Sequence, residues 1–135
     1  LFRIPVFGWA LHAGGFVPID RRDRSTARES FAAAIAGLER GVSVLIFPEG
    51  VRSESGNIKP FRGGVGMIAA RLGLPVVPVR LEGVDRVLPT GGKMARPGPV
   101  SVTFGAPLRL SGNDYGALAR QVEQAVRDLP IKGGA

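Results

Sequence analysis

There is no cysteine in these 135 residues and only one histidine. The first absence removes disulfides, a thiol nucleophile and thiolate metal sites, and the second removes any metal motif built on a pair of imidazoles. Aromatic residues that stack bases are few: one tryptophan, one tyrosine and no run in which they alternate with basic residues. That pattern argues against a dedicated nucleic-acid binder. No apolar run approaches the roughly 18 residues that cross a bilayer, so any membrane contact made by these residues is a surface contact. There is no internal repeat and no low-complexity block.

What the sequence does have is positive charge, glycine and proline. The formal net charge is +7, from 18 Lys and Arg against 11 Asp and Glu, and the arginines are scattered along the chain rather than blocked. Such a balance favours anionic partners: acidic lipid surfaces, phosphorylated substrates or nucleic acid. The length suits one small domain with a core of its own. The chain starts at Leu1, not at Met, and this suggests a piece of something longer or a processed chain.

The stretch Ile46-Phe47-Pro48-Glu49-Gly50-Val51-Arg52-Ser53 organises the reading. It follows the apolar, β-branched run Val42 to Phe47, which has the character of a buried strand, and it puts Pro, Glu, Gly and Arg where that strand ends. In α/β proteins chemistry gathers at such ends. Gly50 permits a sharp turn or a close approach to a ligand, and the planar fork of Arg52 matches a phosphate or carboxylate. The same residues also fit an ordinary turn with Glu49 and Arg52 paired in solvent.

Around it the chain alternates between strand and helix patterns. Leu1 to Leu11 is bulky and apolar, suited to helical turns packed on the body or lying against lipid. Gly15 to Arg21 (GFVPIDR) reads as a short strand running into Asp20 and Arg21. Thr26 with Glu29 has the form of a capping box, with Phe31, Ile35 and Leu38 at helical spacing, which predicts a helix from Thr26 to Arg40. Gly64-Val65-Gly66-Met67-Ile68-Ala69 matches the dinucleotide fingerprint in letters, but Lys59-Pro60-Phe61-Arg62 before it is not the strand that fingerprint needs. We read those glycines as letting a helix, Val65 to Leu72, start close to other backbone; Gly73 and Pro75 end it.

Val76 to Val79 is a further strand, which Pro78 makes an edge or irregular one, and Glu82 to Pro99 a long basic loop around Lys93 and Arg96. Val100 to Phe104 alternates as a half-buried strand. Asn113 is placed to cap a last helix whose Leu118, Val122, Ala125, Val126 and Leu129 form one apolar face. The tail, residues 131–135, is expected to be disordered. Together these give an α/β fold, a mixed sheet of at least four strands flanked by helices, in a single domain.

Three blocks stand in order: GFVPIDR (Gly15 to Arg21), FPEGVRS (Phe47 to Ser53) and LPVVPV (Leu74 to Val79), with PFRGG between the last two. Their order and content, with the opening IPVFGWAL, resemble the glycerolipid acyltransferase family that includes the 1-acylglycerol-3-phosphate acyltransferases, over nearly the whole chain. The resemblance implies a glycerol-3-phosphate acyltransferase-like α/β fold and transfer of a fatty acyl group from acyl-CoA or acyl carrier protein to the free hydroxyl of lysophosphatidic acid. It implies no cofactor beyond that co-substrate, no metal and no nucleic acid, and docking to the cytoplasmic face of a membrane. By the same resemblance Glu49, Gly50 and Arg52 with Asp20 and Arg21 form the acceptor site, and Ser53, Lys59 and Arg62 are further phosphate contacts.

The sequence departs from the family pattern in two small ways: Val51 stands where the family usually has Thr, and Arg62 where Lys is common. A larger departure concerns the His-x-x-x-x-Asp pair that serves the family as general base and its orienting acid. Five residues after His12 stands Val17, so this pair is absent. It is expected upstream of Leu1, and the 135 residues alone are expected to be inactive. Two other readings use the same residues: a non-catalytic α/β module that binds phosphate or anionic lipid through Arg21, Arg52, Lys59 and Arg62, and a nucleotide-binding domain built on GGVGMIA.

Overall fold

The structure is a computed structural model and describes residues 9, 13–14, 24–51, 53, 56–92 and 94–131. The chain divides into two compact units, Leu1–Leu45 and Ile46–Ala135. The strand expected at Gly15 to Arg21, nearly all of the apolar opening and the tail beyond Ile131 lie outside the described residues.

In the first unit, α1 spans Arg24–Glu39. It begins two residues before Thr26, the start expected from the sequence. Its other end follows from Gly41, which adopts φ 81°. Gly41 N–H donates to Leu38 O at 3.0 Å and Val42 N–H to Gly37 O at 3.0 Å, the paired closure that a left-handed glycine allows after a helix. Residues 42–47 then leave without a ladder. Val42, Leu45 and Phe47 are exposed, and none of the described residues pairs with this run as a strand. The buried strand expected here is therefore not found among the described residues: β-branched sequence suits an extended chain, but a strand is seen only where a described neighbour takes its backbone hydrogen bonds.

The second unit is built on two helices. Helix α2 spans Gly64–Leu72 and ends at Gly73, whose φ of 62° and the Pro75 beyond it stop propagation. The later helices are α3, Val84–Val87, and α4, Tyr115–Arg127. The segment Glu82 to Pro99 is thus not wholly loop. Leu118, Ala119, Val122 and Val126 are buried on one side of α4, and Val65, Ile68 and Ala69 are buried on α2. The apolar stripe read from the sequence is the core face. Its shared centre is Ala69, Leu110, Leu118 and Val122, with Phe61, Val76, Leu108 and Tyr115 packed around it.

Gly66 explains how the helices come so close. A Cβ there would stand 2.5 Å from Tyr115 O and 2.9 Å from Leu118 Cβ. The glycine is a packing requirement, as the reading of GGVGMIA held. The start of α4 corrects one expectation: Asp114, not Asn113, is the cap, and its Oδ1 accepts from Ala117 N–H at 2.9 Å.

The sheet among the described residues has two antiparallel strands, β1 at Val79–Glu82 and β2 at Ser101–Phe104. Val79 pairs with Phe104 and Glu82 with Ser101. Further along, Val76 bridges to Leu108, so residues 77–78 on one side face residues 105–107 on the other. That extra residue is a bulge, at the place where Pro78 has no N–H to give and Gly105 N–H donates to Pro78 O instead. The irregularity expected from Pro78 is present.

The faces of this sheet are the reverse of a usual half-buried pair. Arg80, Glu82, Ser101 and Thr103 share one face, and Thr103 is buried. Leu81, Val102 and Phe104 share the other and are exposed, Phe104 by 70%. Most of the polar face has partners: Arg80 Nη1 donates to Arg127 O and Leu129 O at the C-terminus of α4, Arg80 Nε pairs with Glu82 at 3.3 Å and Ser101 Oγ donates to Glu82 Oε2, while the buried Thr103 Oγ1 has no hydrogen-bond partner. Carbonyls left over at a helix end attract a guanidinium, which draws this face toward α4.

Candidate functional site

The residues that end the 42–47 run and those of PFRGG lie in one unit and are joined backbone to backbone. Gly50 N–H donates to Phe47 O at 3.1 Å, closing the Pro48-Glu49 turn, and Gly50 takes φ 71° to do it. Arg62 N–H then donates to Pro48 O at 3.0 Å. The link places the Arg62 guanidinium over Gly50, where a Cβ would stand 2.9 Å from Nε and 3.1 Å from Cζ. A glycine at this position is what lets the guanidinium lie on the turn.

Glu49 lies half-buried in the turn, and its carboxylate faces the protein. Its Oε2 accepts Lys59 N–H at 2.7 Å, a short charge-assisted bond that fixes the far end of the 50–58 loop to the turn. Ser53 Oγ donates to Asn57 O at 2.9 Å and closes the tip of the same loop. Of the residues read from the sequence as acceptor contacts, the structure therefore brings Glu49, Gly50, Ser53, Lys59 and Arg62 into one loop system. Within it Glu49 and Ser53 bond to backbone, while Lys59 and Arg62 supply positive charge. Asp20, Arg21 and Arg52 lie outside the described residues.

Two residues with no place in the sequence reading hold this system from the other side. On α4, Glu123 Oε2 accepts Phe61 N–H at 3.0 Å. Arg127 Nη2 donates to Ile58 O at 2.8 Å and also to Glu123 Oε1 at 2.8 Å, with Nε on the same oxygen at 2.9 Å. The Phe61 N–H first, and then the Arg127 guanidinium, hold the Glu123 carboxyl below its ordinary value, with desolvation acting the other way. The one available signal was the Glu-to-Arg spacing of four on a helix, which says that the two pair but not what they grip. Pro60, Phe61, Gly116, Arg120, Glu123 and Gln124 line a cleft of about 420 Å³ beside this contact.

Among the described residues no group of histidines and carboxylates is placed to hold a metal, and no helix is long and apolar enough to cross a membrane. The described part of the loop system carries two basic residues, Lys59 and Arg62, on a backbone bonded to the Pro48-Glu49 turn and to α4. Guanidinium and ammonium groups are each donors to phosphate oxygens.

A protein-family model described as Acyltransferase matches residues 1–82. A chloroplastic 1-acyl-sn-glycerol-3-phosphate acyltransferase of Brassica napus is 38% identical over 109 residues, which are 80% of this chain and 32% of the relative. The 1-acyl-sn-glycerol-3-phosphate acyltransferase of Pseudomonas aeruginosa is 32% identical over 126 residues, 93% of this chain and 49% of that protein. Among solved structures, the 1-acyl-sn-glycerophosphate (LPA) acyltransferase PlsC of Thermotoga maritima matches with a TM-score of 0.76 at 30% identity, over 94% of this chain and 51% of that one. The chain thus shares the α/β fold of that enzyme. It spans about a third of the first curated relatives it matches and about half of the solved structure.

Proposed function

The chain belongs to the Acyltransferase family, and from that membership we propose that it forms the acceptor-phosphate site of an enzyme that acylates lysophosphatidic acid in phospholipid synthesis. The observation that supports this most directly is the Arg62 guanidinium lying on the Gly50 turn, with Lys59 tied to the same turn through Glu49. The two basic residues bind the phosphate of 1-acylglycerol 3-phosphate and so fix the position of its free hydroxyl. Arg52 and Arg21 join them as further phosphate contacts in this reading.

In the reaction the hydroxyl oxygen bonds to the carbonyl carbon of an acyl thioester, the carbon–sulfur bond breaks, and the hydroxyl proton passes through a general base to the leaving thiolate. The thioester is acyl-CoA or acyl carrier protein. In the family this chain resembles, the base is a histidine with an aspartate five residues on, and His12 is followed at that spacing by Val17. We therefore assign the base to residues other than these 135, and the phosphate site to this chain. Because the acceptor is a lipid, the site works at a membrane surface, on the cytoplasmic side, which suits the net charge of +7.

The test is binding of lysophosphatidic acid to the 135-residue chain and to Arg62→Ala. Loss of one charge-assisted phosphate contact weakens binding about tenfold. Equal binding by the two proteins would sink the acceptor assignment, and acyl transfer by the 135 residues alone would overturn the assignment of the base.

A further inference from the structure

From residue 59 to residue 62 every backbone N–H has a partner drawn from a different part of the chain. Lys59 N–H donates to Glu49 Oε2, Pro60 has none, Phe61 N–H donates to Glu123 Oε2 and Arg62 N–H to Pro48 O. On the acceptor side, Ile58 O takes Arg127 Nη2. Two of the four partners are side chains of α4, which lies at residues 115–127, beyond the 1–82 that the family model matches. We propose that Glu123 and Arg127 are positioning residues for the acceptor-phosphate site: they hold the backbone of 58–61 from α4 and thereby set where Lys59 and Arg62 present their charges. This rests on the acceptor reading above.

The geometry supports a clamp with two jaws. Glu123 divides its oxygens, Oε2 to the loop and Oε1 to Arg127, and Arg127 divides its donors between Glu123 and Ile58 O. Each residue orients the other while gripping the loop at a different point. Neither touches the phosphate in this arrangement, because both are turned to main-chain atoms. Pro60 between the two grips has its φ fixed by its ring, so the short span cannot slacken freely. Helix α4 is in turn seated against α2 by Leu118 and Val122, which share a buried cluster with Ala69, and by the close approach of Gly66 to Leu118 and Ala119. The placement of the two basic side chains is thus referred to the core.

The test is titration of the 135-residue chain with sn-glycerol 3-phosphate, with a melting curve recorded for every variant. The variants are Arg62→Ala, Glu123→Ala, Glu123→Gln and Gly73→Ala. The clamp predicts that Glu123→Ala weakens binding about fivefold, while Glu123→Gln, which keeps an oxygen for Phe61 N–H, stays within about twofold of the parent. Gly73→Ala lowers the melting temperature by forcing an L side chain into the left-handed backbone after α2, where a Cβ meets no other group, and leaves the affinity of the folded protein unchanged. Parental affinity in Glu123→Ala overturns the proposal, as does a loss in Gly73→Ala equal to that in Glu123→Ala, since the role would then be stability alone. An Arg62→Ala protein that binds as well as the parent overturns the acceptor reading instead, and the two failures are told apart by which variant is silent.

Discussion

The guanidinium of Arg62 lies on the α-carbon of Gly50, with Nε 2.9 Å from the point a Cβ would occupy. Gly50→Ala acts twice on this contact. It forces an L side chain into a left-handed backbone, at a cost of about 1–2 kcal/mol, and it pushes the guanidinium off the turn. A lowered melting temperature together with weaker binding of sn-glycerol 3-phosphate is the expected result. A change in melting temperature with no change in binding would mean that Arg62 does not meet the phosphate from this position.

Gly66 has no room at all. Its missing Cβ would meet Tyr115 O, Leu118 Cβ and Ala119 N, two of them backbone atoms that cannot swing aside. Gly66→Ala is expected to destabilise the protein by about 1–3 kcal/mol by parting α2 from α4, read from chemical denaturation. Calorimetric titration with a dinucleotide should give no heat of binding with either protein, since these glycines serve packing.

Asp114 caps α4 while Asn113 stands beside it. Replacing Asp114 with Ala should cost about 0.5–2 kcal/mol, and Asn113→Ala should lie within about 0.5 kcal/mol of the parent. Urea unfolding of the two variants checks this, and a larger loss at Asn113 would return the cap to the residue the sequence suggested.

Glu123 gives the stability a direction with pH. Its carboxyl is held below the ordinary value of 4.5 by the Phe61 N–H and by Arg127. A carboxyl with a lowered folded value stabilises the fold above its unfolded value, and the contribution is lost as pH falls through the folded one. The melting temperature of the parent should therefore exceed that of Glu123→Gln at neutral pH, and the gap should close below about pH 4. A gap that is constant across the acid range would show that the charge of Glu123 plays no part.

Local chemistry made much of this legible in advance. Gly73 and Pro75 mark the end of α2, the stripe Leu118, Val122 and Val126 marks the buried face of α4, and Pro78 marks the bulge. The turn at Pro48-Glu49-Gly50 and the PFRGG segment read from their residue types as parts of one candidate site, and the Arg62 N–H to Pro48 O bond joins their backbones. What sequence did not disclose is long-range. Glu123 and Phe61 are 62 positions apart and Arg127 and Ile58 are 69 apart, and no local pattern states which backbone a helix face will meet. The same limit reversed the sheet: Thr103 is buried and Phe104 exposed because Arg80 finds the carbonyls at the end of α4, a partner that alternation alone does not reveal. Glu49 shows a third kind of limit, since its residue type suits a polar site but does not tell that its carboxylate bonds the Lys59 N–H ten positions on.

The two jaws on α4 close on an amide hydrogen and a carbonyl oxygen, groups that nearly every residue type provides. The grip itself therefore does not read which side chain stands at 58, while Phe61 is held to its identity by a separate demand, since its ring packs against the core and proline there would have no hydrogen to offer. A designer who wishes to alter the surface beside the loop has position 58 to vary, on a mount that does not depend on what is placed there.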